Sequence, residues 1–147
     1  MFHENFVIEK LRQFDKNEVL KTIDKKVKYN RAINYKAYEI AGEVIGRAAE
    51  NWLRNEWANR REDELLIFAR PISKCFGFDE AFETVIEEIE RKGDKYLSEN
   101  ISALLYFQSE KTLDWIEKAI HRTSNVSTNW GTLLQPHSLV GAGPIIG

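Results

Sequence analysis

Cysteine and long apolar runs are what this sequence most clearly lacks. Its 147 residues include one cysteine, Cys75, which excludes an internal disulfide and any multi-cysteine zinc site. No apolar run reaches the roughly 18 residues that a membrane-spanning helix needs. The opening MFHENFVIEKLRQFDK has early acidic residues and no apolar core of signal-peptide length. We therefore expect a cytoplasmic protein with no membrane partner.

An excess of one charge sign is also missing. The 21 basic and 23 acidic residues give a formal charge of -2. That balance argues against a dedicated nucleic-acid binder or a membrane-surface protein at the level of the whole chain.

Catalytic signatures are sparse as well. The histidines His3, His121 and His137 lie far apart, and there is no His-Glu-x-x-His, phosphate-binding glycine loop or Gly-x-Ser-x-Gly. Glu117 and His121 are one helical turn apart, but such pairs are routine on helix surfaces. The sequence predicts no catalytic residues, no metal and no cofactor, and it leaves an enzyme open as the less favoured class.

What the sequence does contain is helical periodicity. No segment of four or more residues alternates cleanly as a strand does. The pattern predicts an all-α protein of antiparallel helical hairpins, stacked as a short α-solenoid or an irregular bundle. The expected helices are 5–14, 16–29, 30–60, 63–70, 79–92, 98–107 and 109–122.

Glycine and proline divide these helices. Gly42 and Gly46 share one face of the long helix 30–60, which predicts close approach of another helix there. Pro71 should end or bend the next helix. Asp79 is a candidate N-cap and Gly93 a candidate C-cap.

The last helix, SEKTLDWIEKAIHR, follows its predecessor after a very short joint. Ser109 is its expected N-cap. Leu113, Ile116 and Ile120 are its expected inner stripe.

The segments 62–93 and 94–122 have a similar layout, in which an apolar helix with a Leu-Leu step precedes an amphipathic helix. ISALLYFQSEKTLDWIEKAI resembles one unit of the HEAT-like or armadillo-like repeat class. The resemblance implies hairpins that pack on their neighbours and an exposed face that binds another macromolecule.

After residue 122 the pattern changes. From Thr123 to Gly147 there is no Asp, Glu, Lys or Arg. We expect a helical domain, 1–122, and an extended tail, 123–147, that packs on the last hairpin or contacts a partner; a chain end without fixed structure is the alternative. Six large aliphatic residues lie in the last fifteen positions of the tail: Leu133, Leu134, Leu139, Val140, Ile145 and Ile146.

Two charged stretches and one aromatic cluster are candidate binding sites. The stretch 21–38 is basic and contains tyrosines, which suits phosphates and unpaired bases; its candidate residues are Lys25, Lys26, Lys28, Arg31 and Tyr35. Tryptophan and arginine are favoured at protein interfaces, and the second cluster comprises Trp52, Trp57, Arg60 and Arg61. An acidic run suits a basic partner, with Glu83, Glu87 and Glu88 as candidates. For each set, ordinary surface or core packing is the alternative.

These observations favour a non-catalytic protein-binding module. An adaptor, or an immunity or antitoxin-like partner of bacterial type, fits this description. The alternative is a nucleic-acid-associated protein that uses the basic stretch 21–38. Another protein is the expected partner, and a homodimer is compatible with the same features.

Overall fold

The computed structural model describes residues 2–29 and 34–123, with side-chain surroundings for 6–28 and 35–123. All regular secondary structure in these ranges is helical, so the predicted all-α class is confirmed. The predicted tail lies outside the described residues. The α-helices are α1 (Phe2–Leu11), α2 (Lys16–Tyr29), α3 (Asn34–Ile40), α4 (Glu50–Ala58), α5 (Leu65–Cys75), α6 (Phe78–Lys92), α7 (Leu97–Asn100) and α8 (Glu110–Thr123).

The chain forms two compact units, Met1–Ile86 and Glu87–Gly147, and the division falls within α6. In the first unit α2 is amphipathic, and it buries Val19, Ile23 and Val27. Asp15 caps its start, since Asp15 Oδ2 accepts a 3.1 Å hydrogen bond from the amide of Glu18.

The long helix predicted over 30–60 is interrupted, so that prediction is wrong. After α3 the chain forms a π-helical turn, Ala41–Ile45, and a 3₁₀ turn, Gly46–Ala49, before α4 begins. Gly46 has φ +69° and ψ −136°, a backbone conformation that is open mainly to glycine. The helix is therefore interrupted at Gly46, where the lack of a Cβ permits this backbone conformation.

The two glycines of this segment have different roles. A Cβ on Gly42 would lie 3.3 Å from Pro71 Cα in α5, so the predicted close approach of a helix is confirmed there. A Cβ on Gly46 would meet nothing within 4 Å, so the same prediction is wrong at Gly46. Helix α5 does not end at Pro71, which lies buried inside it. The helix ends at Cys75, and the backbone of Phe76, the next residue, is extended.

Aromatic side chains occupy the centre of the first unit. Tyr38 and Phe68 are fully buried, with ring centroids 4.3 Å apart. Trp57 meets Phe68 edge to face at 5.2 Å. These contacts join α3, α4 and α5, because each helix contributes one of the three rings.

The sequence predicted the C-terminal end of α6 correctly but not its N-cap. Gly93 follows the helix with φ +90°, and its amide bonds to the carbonyls of Ile89 and Glu90, so Gly93 is a C-terminal cap as expected. At the start, the Gly77 carbonyl accepts the amide of Ala81 at 2.8 Å. Asp79 therefore lies within the first turn rather than at the N-cap.

In the second unit, the helix expected over 98–107 is divided into short pieces. A 3₁₀ turn, Asp94–Tyr96, leads to α7, and a second 3₁₀ turn, Ile101–Tyr106, follows. Ser109 caps α8 as predicted, since its Oγ accepts the amide of Thr112 at 3.4 Å. The proposed repeat relation between the two hairpins stays a prediction.

The predicted inner stripe of α8 is wrong. Leu113 is 66% exposed and Ile120 is 37% exposed, while Thr112, Ala119 and Thr123 are buried. At 100° per residue, the helix is rotated by about 70° from the predicted orientation. Small buried residues allow close packing, and a forked ion pair holds the C-terminal turn: Arg122 donates to both carboxylate oxygens of Asp94 at 2.9–3.2 Å.

Candidate protein-binding surfaces

Helix α6 carries an acidic face, which we define as Asp79, Glu80, Glu83, Glu87 and Glu90. All five residues are exposed. Because α6 is one continuous helix, its geometry places them within an arc of about 100° along about 16 Å. The arc lies on the side that faces away from the buried apolar residues of the helix. The carboxylates therefore project into solvent together.

Glu80 of the acidic face is paired with a residue of the first unit. Glu80 accepts a hydrogen bond from Arg54, which also donates to Glu50 Oε2 at 2.8 Å. The hydrogen bond to Glu80, aided by the charges of Glu80 and Glu50, raises the pKa of Arg54. Its guanidinium lies 4.8 Å from the centre of the Phe76 ring. Arg54 therefore attaches α4 to the start of α6.

Glu88 does not belong to this face, which corrects the prediction that grouped it with Glu83 and Glu87. Only 2% of Glu88 is exposed. On the helix it lies one residue, or 100°, beyond Glu87, on the side of the buried residues. It accepts hydrogen bonds from Arg91 at 2.7 and 3.1 Å, which compensates the charge of a buried carboxylate.

The structure does not bring the two candidate tryptophans into one exposed patch. Trp52 is half-buried. Its Nε1 donates a 2.9 Å hydrogen bond to Asp24 in α2, and its ring centroid lies 6.0 Å from that of Tyr38. Trp52 therefore takes part in packing within the first unit.

Trp57 and Arg60 are brought together. The Arg60 guanidinium lies 3.9 Å from the centre of the Trp57 ring, and Arg60 Nη1 donates to the Trp57 carbonyl at 2.9 Å. Arg61 is exposed, and its amide donates to Glu64 Oε1 at 2.7 Å. The half-buried ring of Trp57 leaves this stacked pair accessible from solvent.

The basic stretch forms a lysine row on α2, which we define as Lys21, Lys25 and Lys28. Their i, i+4, i+7 spacing places the three exposed residues opposite the buried face of α2. Two are paired on the same helix: Lys21 lies 3.8 Å from Glu18, and Lys28 lies 2.9 Å from Asp24.

The remaining nucleic-acid candidates lie outside the lysine row. Lys26 is exposed but lies on a different side of α2. Tyr35 is half-exposed, and the Lys36 ammonium lies 5.5 Å from its ring centre. Arg31 lies outside the described residues.

Acid–base and metal chemistry find little support in the described part of the chain. Burial raises the pKa of the Cys75 thiol to about 12, which opposes a role as a nucleophile. Glu43 pairs with Arg70 at 2.6 Å. His121 is exposed and lies 4.0 Å from Glu117. Within 2–29 and 34–123, no group of three His, Cys, Asp or Glu residues is placed to hold a metal ion.

Sequence reasoning missed a buried polar pair. The hydroxyl of Tyr38 donates to Glu56 Oε1 at 3.1 Å, and both residues are buried. The sequence contained one indication that Glu56 is buried: it lies three residues after Leu53 and therefore on the same side of α4. A charged residue at such a position needs a polar partner, but the sequence does not identify Tyr38 as that partner.

Comparisons with protein-family models, with curated proteins and with solved structures found no match to this chain. Among the helices described, none combines the length and the apolar character needed to cross a bilayer.

Proposed function

We propose that this chain is a non-catalytic protein-binding module of the cytoplasm that binds a basic protein through the acidic face of α6. An adaptor or an immunity-like neutralising partner has this mode of action. The observation that supports the proposal is the one-sided arrangement of five exposed carboxylates on one continuous helix.

The electrostatics of this face suit recognition of an extended basic surface. Carboxylates on one side of a helix add their potentials, which attracts a basic partner and increases the association rate. Such attraction is screened over about 8 Å at physiological salt. Binding through this face should therefore weaken as the salt concentration rises.

The charge of Glu80 is compensated by Arg54. Glu83 and Glu87 are two further exposed carboxylates of the face. They lie one helical turn apart, a spacing that suits two basic groups on a facing helix or strand.

Charge reversal on the acidic face tests the proposal. The variant Asp79→Lys, Glu83→Lys, Glu87→Lys should lose a basic protein that the unchanged tagged chain captures from its source lysate. The matched control is Glu99→Lys, Glu110→Lys, Glu117→Lys, which changes charge equally at exposed sites off α6. Circular dichroism verifies that each variant is folded.

The comparison between the two variants decides the result. Retention by the control and loss by the α6 variant, for a partner with a basic isoelectric point, support the proposal. A partner that both variants retain equally, or one with an acidic surface, contradicts it.

The lysine row on α2 favours nucleic-acid binding as a second candidate function. Three exposed lysines in line along one helix form a cationic array of the kind that neutralises phosphates. The probe is a fluorescent single-stranded oligonucleotide at low and high salt. Lys21→Glu, Lys25→Glu, Lys28→Glu should abolish binding, whereas Lys95→Glu, Lys111→Glu, Lys118→Glu should retain it; no binding by the unchanged chain rejects this candidate.

A further inference from the structure

Helix α8 presents an apolar strip to solvent, which we define as Leu113, Ile116 and Ile120. Leu113 is 66% exposed, Ile120 is 37% exposed and Ile116 is partly exposed. The i, i+3, i+7 spacing places the three side chains in one line along the helix, as in the seam of a helix pair. The strip borders the buried side of α8 rather than forming part of it.

An uncovered strip of this kind is energetically unfavourable. Full burial of one leucine or isoleucine side chain stabilises a protein by about 1.5–3 kcal/mol. Single exposed apolar residues are common on protein surfaces. Three in line on one helix form a continuous apolar surface that a second segment can cover.

The size of the strip distinguishes between its candidate occupants. A stable dimer buries about 800 Å² on each partner. Three partly exposed aliphatic side chains offer only a few hundred Å², since a whole aromatic residue buries about 150–250 Å². The strip is therefore too small to hold a second copy by itself.

A segment tethered to the same helix needs less area. Because its attachment makes docking intramolecular, its effective concentration is in the millimolar range for a short linker. The sequence 124–147 follows α8 directly, contains no Asp, Glu, Lys or Arg, and includes seven large aliphatic residues. Fully extended, 24 residues span up to about 80 Å, against about 21 Å for α8, so every position of the strip is within reach.

We propose that segment 124–147 of the same chain docks on the apolar strip of α8. Its aliphatic residues cover Leu113, Ile116 and Ile120. Pro136 and Pro144 disfavour a helix and suit an extended strap, in which alternate side chains face the helix. This inference is independent of the acidic face, so either proposal can fail alone.

Paramagnetic relaxation in the full-length chain tests the docking. A nitroxide is attached through Ser138→Cys, and the methyl signals of Leu113, Ile116 and Ile120 are recorded by NMR. Cys75 is buried and does not compete for the label. We expect severe broadening of the strip methyls, which disappears when the nitroxide is reduced with ascorbate. Broadening that is absent, or uniform over the molecule, overturns the proposal.

Two substitutions on the strip provide a second test of the docking. Leu113→Ser, Ile120→Ser should abolish the broadening at Ile116, whereas Leu105→Ser, an equally exposed leucine off the strip, should preserve it. Both changes affect exposed side chains and leave the fold intact. Persistence of the broadening in the double variant contradicts docking on this strip.

A mixed sample separates an intramolecular strap from a second copy. Spin-labelled chain without isotope is combined with isotope-labelled chain without the spin label. The strap predicts no broadening in this mixture. Broadening of the strip methyls between chains would overturn the proposal in favour of a homodimer.

Discussion

The indole nitrogen of Trp52 donates a 2.9 Å hydrogen bond to Oδ1 of Asp24, a residue 28 positions earlier in the chain. Asp24 also accepts a salt bridge from Lys28 at 2.9 Å. The Trp52 hydrogen bond is the first cause, and the Lys28 hydrogen bond the second, of a lowered pKa for Asp24. The contact joins α4 to α2, so Trp52 acts within the fold.

Replacing Trp52 with phenylalanine should raise the pKa of Asp24. Phenylalanine keeps an aromatic ring but has no N–H to stabilise the carboxylate. Carboxyl ¹³C chemical shifts followed through an acid titration measure the change. Lys28→Gln is the comparison, and it should also raise the pKa because it removes the positive charge that lies beside the carboxylate. An unchanged pKa in Trp52→Phe would contradict the role of the indole hydrogen bond.

The same contact predicts how stability depends on pH. The pKa of Asp24 is lower in the folded than in the unfolded chain, where it is near 3.9. Its contribution is therefore complete above the unfolded value and is lost as the pH falls through the folded value. Urea unfolding between pH 7 and pH 3 should be less steeply pH-dependent in Trp52→Phe than in the unchanged chain.

The buried pair of Tyr38 and Glu56 yields a second prediction. Tyr38→Phe keeps the ring against Phe68 but removes the donor to a buried carboxylate. Leaving a buried acceptor without its partner costs about 1–3 kcal/mol, so the free energy of unfolding in urea should fall by that amount.

Glu56→Gln provides the comparison for this pair. The amide oxygen can still accept the Tyr38 hydroxyl, and the variant removes a buried charge. We expect a smaller loss of stability than in Tyr38→Phe. An equal or larger loss would mean that the charge of Glu56, rather than the hydrogen bond, stabilises the fold.

Periodicity predicted the helical class because each helix buries one stripe of its own residues. The buried line Val19, Ile23, Val27 on α2 is an example. The rotation of α8 was not predictable in this way. Thr112 and Ala119 are buried in place of Leu113, and the Arg122–Asp94 pair that accompanies this orientation joins residues 28 positions apart, a contact that periodicity does not contain.

The sequence also predicted the candidate surfaces only in part. Composition identified an acidic helix, and helix geometry alone places Glu83 and Glu87 on its exposed side. The burial of Glu88 needed the orientation of α6 and the partner Arg91. The role of Trp52 depended on Asp24 in another helix, which no local pattern indicates.

Gly46 should be intolerant of a side chain for reasons of backbone conformation alone. A Cβ there meets no atom within 4 Å, but φ is +69°. Gly46→Ala should therefore cost about 1–3 kcal/mol through strain. Gly77→Ala is the control, since its Cβ would lie 3.2 Å from the movable end of Arg47. Urea denaturation should show the larger loss for Gly46→Ala; equal losses would refute the assignment to strain.

Cys75 should resist alkylation in the native protein. Burial excludes reagent and raises the thiol's pKa to about 12, so almost no thiolate exists at pH 8. Unfolding in urea restores the ordinary pKa, near 8.5, and the reaction with iodoacetamide should then accelerate by at least 100-fold. Because the folded pKa is raised, the contribution of Cys75 to stability is complete below the unfolded value and declines as the pH rises towards 12. Mass spectrometry of timed samples measures both rates. Rapid native labelling at pH 8 would show that the α5 core opens far more readily than its packing implies.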